Sequence, residues 1–355
     1  MDQARGVRSQ KGEREPPRAT PEAGRAARIA VIGCGAWGRN HVATLHALGH
    51  LVAVADAHGQ RSFDMAAEYG VVPLAPDQAL GDRHAPGGHP IEGGIDGVVL
   101  ALPAELHAPM AVRAARAGLH VLAEKPLALT HADALAAVDA AREAGTILMV
   151  GHVLRHHPGF QRLVSLVRGG AIGEPRLIEA RRMGFGRFHP SFDAGWDLAP
   201  HDLSIALAVA GEAPNLAVGR GTEAGGGSAD AALVHLGFPS GLKANIAVSR
   251  VSPVRDRRFW VTGTTGSVVL DDLADWPGKL AVYRHAIAAR EGGGADFTLG
   301  EPEPVPLEPA MPLTAELANF VAAIEGRAAP LTTGAEGAEV VRVLERALPR
   351  GSNAG

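Results

Sequence analysis

The apolar positions of this chain change pattern near its middle. Up to residue 150 they form short unbroken runs: RIAVIG at 28–33, LVAVA at 51–55, VV at 71–72, GVVLAL at 97–102, HVLA at 120–123 and TILMV at 146–150. Helix-like stretches at 37–48, 61–69, 108–117 and 131–144 separate them. Strands that are apolar on both sides need cover on both faces, so this half predicts a doubly wound α/β sheet of parallel strands. Beyond residue 150 the strand-like segments pair around short turns. Segments 231–238 and 242–251 flank Pro239-Ser240-Gly241, and 258–262 and 267–270 flank Gly263-Thr264-Thr265-Gly266. With 176–183 and an edge candidate at 279–285 they predict a mostly antiparallel sheet. Helices are expected at 196–210, 313–324 and 336–348, the last with Val340, Val341, Val343, Leu344 and Leu348 at helical spacing.

Composition narrows the setting. The 355 residues, 46% hydrophobic and 20% charged, suit two domains with sizeable cores. A net charge of −4 supplies no basic field for nucleic acid, and no apolar run reaches the roughly 18 residues a membrane span needs. The single cysteine, Cys34, excludes an intramolecular disulfide framework and a cysteine-rich zinc module, and no metal site is expected. Residues 1–27 mix basic and acidic side chains with Pro, Gly and Ala and lack an apolar core segment. They read as a disordered tail rather than a targeting signal, and the protein as cytoplasmic. The expected organisation is the tail 1–27, a dinucleotide-binding domain at 28–150 and a second domain at 151–355. The loop 81–94, with His84 and His89, reads as a solvated insertion.

Gly33-Cys34-Gly35-Ala36-Trp37-Gly38 is a G-x-G-x-x-G placed between an expected strand and an expected helix. In that context Gly33 permits a tight turn, Gly35 lets the backbone approach a pyrophosphate, and Gly38 allows close helix–strand packing. The helix N-terminus then offers free N–H groups to the phosphates. Asp56 follows Gly33 by 23 residues at the end of the second apolar run. A carboxylate there accepts ribose hydroxyls and repels a 2′-phosphate, which favours NAD over NADP, with His58 and Arg61 nearby tempering the choice. Cys34 reads as a small filler of the turn.

Two further motifs end strands at their carboxyl ends, where open α/β sheets bind ligands: Leu102-Pro103-Ala104-Glu105-Leu106-His107 and Ala123-Glu124-Lys125-Pro126. A lysine before a proline in an apolar setting is either a tuned acid or base or an ordinary loop lysine. Taken together, GCGAWGRNH, LPAELH and AEKP resemble the Gfo/Idh/MocA oxidoreductases. The resemblance runs over residues 28–349. It implies a Rossmann domain followed by an open, mostly antiparallel sheet with helices on one face. It also implies that Lys125 reaches the reacting hydroxyl, that Glu124 borders the nicotinamide ribose, and that Pro126 follows in an often cis bond. Ala36, Trp37, Arg61, Leu102, Pro103 and His107 join the glycines and Asp56 as expected cofactor neighbours.

Asp197 and His201, in WDLAPHDLS at 196–204, are four apart and share a face if one helix includes both. Histidine exchanges protons near neutral pH, and a nearby carboxylate can orient it or hold a hydroxyl. The family carries D-x-G-x-H here, a substrate-holding aspartate and an acid/base histidine, which fall on Asp197 and His201, with Ala199 where glycine is usual. The phrases at 151–158, 182–188 and 249–263 are similar to a branch of UDP-N-acetyl-glucosaminuronate 3-dehydrogenases. That similarity implies oxidation at C3 of a sugar or sugar nucleotide. His152, Arg155 and Arg181, with Arg187 and His189, read either as donors to an anionic substrate or as plain solvated side chains. Trp196 reads either as a sugar platform or as the seal of the helix start. His41 sits in a cofactor-side motif but is counted among the surface or packing histidines. The expected activity is an NAD-dependent sugar or cyclitol dehydrogenase. Its alternatives are a ketosugar reductase using the same residues and a non-catalytic NAD sensor. A homo-oligomer through the second sheet is also implied.

Overall fold

Six parallel strands form the first sheet: β1 (Ile29–Ile32), β2 (Leu51–Ala55), β3 (Val72–Leu74), β4 (Gly97–Leu100), β5 (His120–Glu124) and β6 (Leu148–Gly151). Their order is β3-β2-β1-β4-β5-β6, so the winding reverses between β1 and β4 and opens a crevice at the strand carboxyl ends. Every residue of β1 and β4 is buried, which is why these strands read as unbroken apolar runs. Helices α1 (Ala36–Ala47), α2 (Gly59–Tyr69), α3 (Pro76–Ala79), α4 (Ala104–Arg116) and α5 (His131–Ala144) connect the strands. The α5 helix has clean ends: the Thr130 hydroxyl accepts from the Asp133 N–H, and Gly145 closes it with φ +66°. This computed structural model describes residues 25–81, 91, 93–186, 188, 193–225 and 227–350. The tail to residue 24, His84, His89, Arg187 and His189 lie outside the described residues.

After a 3-10 turn at Val153–His156 and α6 (Pro158–Arg168), the chain builds a second sheet on one side of α7 (Ala194–Ala210). Its strands are β7 (Pro175–Phe185), β8 (Leu216–Thr222), β9 (Ala231–Gly237), β10 (Lys243–Ser249), β11 (Val251–Gly263), β12 (Gly266–Asp271), β13 (Leu280–Ala289), β14 (Ala295–Leu299) and β15 (Glu303–Pro304). The order is β14-β13-β12-β11-β7-β10-β9-β8, with β15 beside β13. β7 and β10 run parallel, and the remaining pairs are antiparallel. Burial alternates along β9 and β12, as a sheet covered on one face requires. The helical face buries Ile178, Ala180, Val234, Ile246, Phe259 and Val261. Glu179, Arg181 and Trp260 lie on the other face, where Trp260 Nε1 donates to Glu179 Oε2 at 2.9 Å.

Two boundaries differ from the sequence reading. The fold begins before residue 28: Ala27 is buried and its N–H donates to Glu325 Oε1 at 3.0 Å, while Arg25 pairs with Asp96 at 2.7 Å. The division at residue 150 also does not hold for the carboxyl end. Helix α8 (Pro312–Ile324) returns to the first domain, where Leu317, Phe320, Val321 and Ile324 pack with Ile29, Val31, Val42 and Leu45. Helix α9 (Gly334–Ala347) lies against α5, β6 and α7. Among the described residues no helix is long and apolar enough to cross a membrane.

Candidate active site

The glycine turn is shaped by close approach. Gly33 has φ +105°, and a Cβ there would stand 2.1 Å from the Ala101 carbonyl oxygen. A Cβ on Gly38 would stand 1.8 Å from the Gly33 oxygen, so these two glycines close the turn upon itself. Gly35 differs: its φ is −70°, and no atom lies within 4 Å of where its Cβ would be. It caps α1 without a side-chain bond, and no acidic residue occupies the first turn. The open space over free helix amides fits the pyrophosphate of a dinucleotide. Asp56, at the end of β2, accepts the Cys34 N–H at 2.7 Å and the His58 N–H at 2.8 Å, one on each oxygen. It thereby joins the turn to the start of α2, the helix that carries Arg61. Each carboxylate oxygen retains acceptor capacity for a ribose. Burial, with the Asp56 charge, pushes the Cys34 thiol up to about 11, which suits a filler and not a nucleophile.

Glu124 ends β5 and is buried. Its Oε1 accepts from His41 Nε2 at 2.7 Å and from Trp37 Nε1 at 2.5 Å. Burial raises the carboxyl pKa, but those bonds, the His41 charge and Lys125 together outweigh it and hold the group below its ordinary value. A Cβ on Gly151 would stand 3.0 Å from the Glu124 carboxyl, so a larger residue at the end of β6 would crowd this group out of its place. His41 is thus part of the site's foundation, and the sequence reading missed it. Its only advance signal was its place in GCGAWGRNH.

Lys125 leaves β5 through a cis bond to Pro126 and crosses to the second domain. Its Nζ donates to Asp197 Oδ1 at 2.9 Å and to the Asp197 backbone oxygen at 2.7 Å. Asp197 and His201 both lie inside α7, which starts at Ala194 where Asp193 accepts the Trp196 N–H at 2.9 Å. They therefore share a face one turn apart. His201 has its Nδ1 buried without a partner among the described residues. Burial, followed by the charges of Lys125, Arg182, His152 and Arg257, holds its pKa well below the ordinary histidine value. The ring is neutral at pH 7. His152 follows β6 with both ring nitrogens buried and unpartnered, and burial with the Arg155 charge pushes it down to about 3.

Four expected neighbours of the ligands are placed elsewhere. His107 is buried, with Nδ1 2.7 Å from the Pro126 oxygen and Nε2 2.7 Å from the Leu102 oxygen, so both ring nitrogens are taken up in tying the Leu102-Pro103 loop to the Lys125–Pro126 turn. Trp196 is 1% exposed and donates from Nε1 to the Leu348 oxygen at 2.9 Å; it seals the helix start and is no sugar platform. Arg155 turns Nη1 toward the Ser204 oxygen and Glu336 Oε1, both at 3.2 Å. Arg181 is on the open face of the second sheet, 5.4 Å over Trp260 and turned away from His201 by the strand's alternation. The next residue, Arg182, faces α7 and makes a buried two-pronged pair with Asp202, 2.8 Å at each contact.

Comparison with known proteins agrees with this geometry. The oxidoreductase family model with an NAD-binding Rossmann fold matches residues 27–152, and the GFO/IDH/MocA C-terminal domain matches residues 160–269. The chain is 34% identical to UDP-N-acetylglucosamine 3-dehydrogenase of Acidithiobacillus ferrooxidans, over 66% of this chain and 71% of that protein. It is 29% identical to scyllo-inositol 2-dehydrogenase (NAD(+)) of Bacillus subtilis, over 69% of this chain and 74% of the relative. The solved structure of the Acidithiobacillus enzyme aligns with a TM-score of 0.76 at 29% identity, covering 91% of this chain and 97% of that one. The chain belongs to the Gfo/Idh/MocA family, the NAD-binding oxidoreductases that include sugar and cyclitol dehydrogenases and reductases.

Proposed function

We propose that this protein oxidises a secondary ring hydroxyl, at C3, of a sugar, sugar nucleotide or related cyclitol, with Lys125, Asp197 and His201 as the reacting set. The observation that carries the reading is the contact of Lys125 with Asp197 across the two domains, one helical turn from His201. NAD, when bound, supplies the hydride acceptor. His201 is neutral, so it can take the hydroxyl proton in the oxidation and return it in the reverse reduction. An ammonium has three donors; Asp197 occupies two of those of Lys125, and the third remains for the developing alkoxide. Asp197 is 41% exposed at its side chain, with Oδ2 available to a neighbouring hydroxyl. The presence of all three groups weighs against a non-catalytic sensor. Exposed Val218 and Leu233 on the open sheet face support self-association there.

The test is formation of NADH at 340 nm with a panel of sugars, sugar nucleotides and inositols. Lys125→Ala and His201→Ala should each keep NAD affinity and lose at least about 100-fold in kcat. Full activity in both variants would sink the assignment.

A further inference from the structure

The surroundings of His201 carry more positive charge than proton transfer requires. Arg182 on β7 and Arg257 on β11 are directly paired in the strand register. Arg182 reaches Asp202 on α7, and Arg257 keeps step with buried Phe259 and Val261, so both project to the helical face. The two oxygens of Asp202 are each engaged by Arg182. Arg257 is half-buried, and its Nε is buried with no hydrogen-bond partner among the described residues. No carboxylate among them lies within ion-pair distance of it, and the nearby Asp272 leans toward His157 and Lys279 at 3.7 and 3.8 Å. Burial, then the like charges of Arg182 and Arg255, press on its ionised form and outweigh the opposing charges of Asp272 and Asp202, neither of which it contacts as an ion pair. A buried guanidinium donor left unmade is costly unless something fills it.

We propose that Arg257, backed by Arg182, seats an anionic substituent of the substrate, so that the preferred substrate is an anionic sugar carrying a carboxylate or a phosphoryl group. This rests on the oxidation proposed above and narrows its substrate class. The guanidinium fork matches the paired oxygens of either anion. The seat is close enough to act on the chemistry. His201 is faced by Lys125 from β5, His152 beyond β6, Arg182 from β7 and Arg257 from β11, with Asp197 and Asp202 on its own helix. An anion on Arg257 offsets the surplus positive charge there and makes His201 a stronger base at the moment substrate is bound. A neutral sugar leaves that base weaker.

The test uses the full chain with NAD and matched probes: a free hexose, its 6-phosphate, its uronate and its uridine diphosphate ester. Wild type should favour at least one anionic probe over the free hexose by about 10–100-fold in kcat/KM. The winning probe distinguishes a carboxylate source from a phosphate source. Arg257→Gln should collapse that preference to within about threefold, chiefly through KM, with an unchanged or higher melting temperature because an unpaired charge has gone. Arg257→Lys should restore part of it. Retention of the full anionic preference in Arg257→Gln, or wild-type preference for the free hexose, overturns the proposal. Calorimetric titration of the NAD-loaded protein with the hexose 6-phosphate and uronate separates the two readings. Binding that Arg257→Gln loses, in an enzyme that oxidises none of the probes, upholds the seat and removes the oxidation. Equal binding by both proteins removes the seat.

Discussion

Adding one methyl group at Gly35 should separate cofactor binding from folding. At this position φ is −70° and ψ −173°, which any residue adopts, and the added Cβ meets no atom within 4 Å. Alanine at a helix N-cap is less favourable than glycine by on the order of 1 kcal/mol. Replacing glycine also removes unfolded-state freedom, worth about 0.4–1 kcal/mol in the other direction. The two nearly cancel, so Gly35→Ala should shift the melting temperature by less than about 4 °C. The methyl instead fills the space through which a pyrophosphate reaches the first amides of α1. Loss of one charge-assisted hydrogen bond, about 1.5–3 kcal/mol, weakens NAD about 10–150-fold. Calorimetric titration with NAD reads the affinity and a thermal melt reads the fold. Gly38→Ala is the contrast: its Cβ would lie 1.8 Å from a backbone oxygen that no rotamer change can move, and the variant should not fold stably. Wild-type NAD affinity in Gly35→Ala, or a melting temperature lowered by more than about 10 °C, would refute the reasoning.

Three other outcomes are expected. Asp56→Asn removes the carboxylate charge at the end of β2, where the proposed site would take the ribose, while keeping an oxygen for the Cys34 amide, so the NADP-to-NAD ratio of kcat/KM should rise at least about tenfold; an unchanged ratio places the selectivity elsewhere. With its thiol at about 11, Cys34 is almost wholly protonated at pH 8, and iodoacetamide should label the native protein at least about 100-fold more slowly than free cysteine, as mass spectrometry can follow. His156 is 3% exposed and pushed down to about 4 by burial and then Arg155. Its folded pKa lies below the unfolded value of about 6.5, so the contribution is complete above pH 6.5 and lost as pH falls toward 4, about 3 kcal/mol in all. Urea unfolding at pH 7 and pH 4 should therefore show a smaller acid loss in His156→Gln than in wild type, and equal losses would contradict it.

The first domain was legible because its strands are buried on both sides and its turns are punctuated by glycines that the geometry requires. β2 and α5 have the bounds read from the sequence, and β1 and β4 differ by one or two residues at their ends. What escaped was material without an apolar rhythm. β8 reads LAVGRGT and interrupts its alternation with glycines, and every residue of β14 is exposed. Their pairing partners hold them as strands, and no local pattern announces that. The return of α8 to the first domain was equally hidden, since an apolar helix face does not state which sheet it will cover.

The site divides along the same physical line. Lys125 and Asp197 are 72 residues apart and were named from motifs, yet their meeting depends on two domains closing on one crevice. For Arg181 and Arg182 the sequence offered two adjacent guanidinium groups and no way to choose. A strand sends neighbours to opposite faces, so the choice rests on the register of β7 against β11 and on which face α7 covers. Arg182 wins because Asp202 lies one residue beyond His201 on the helix above it, while Arg181 rests on Trp260 on the far side. The same parity brings Arg257 to the helical face, although its neighbours in RDRRF at 255–259 make it look like one member of a solvated basic run. Its lack of an ion pair among the described residues is a property of the folded sheet alone. That is why Arg257, although it lies inside the phrase at 249–263 that carries the resemblance, could not be singled out from its basic neighbours by sequence.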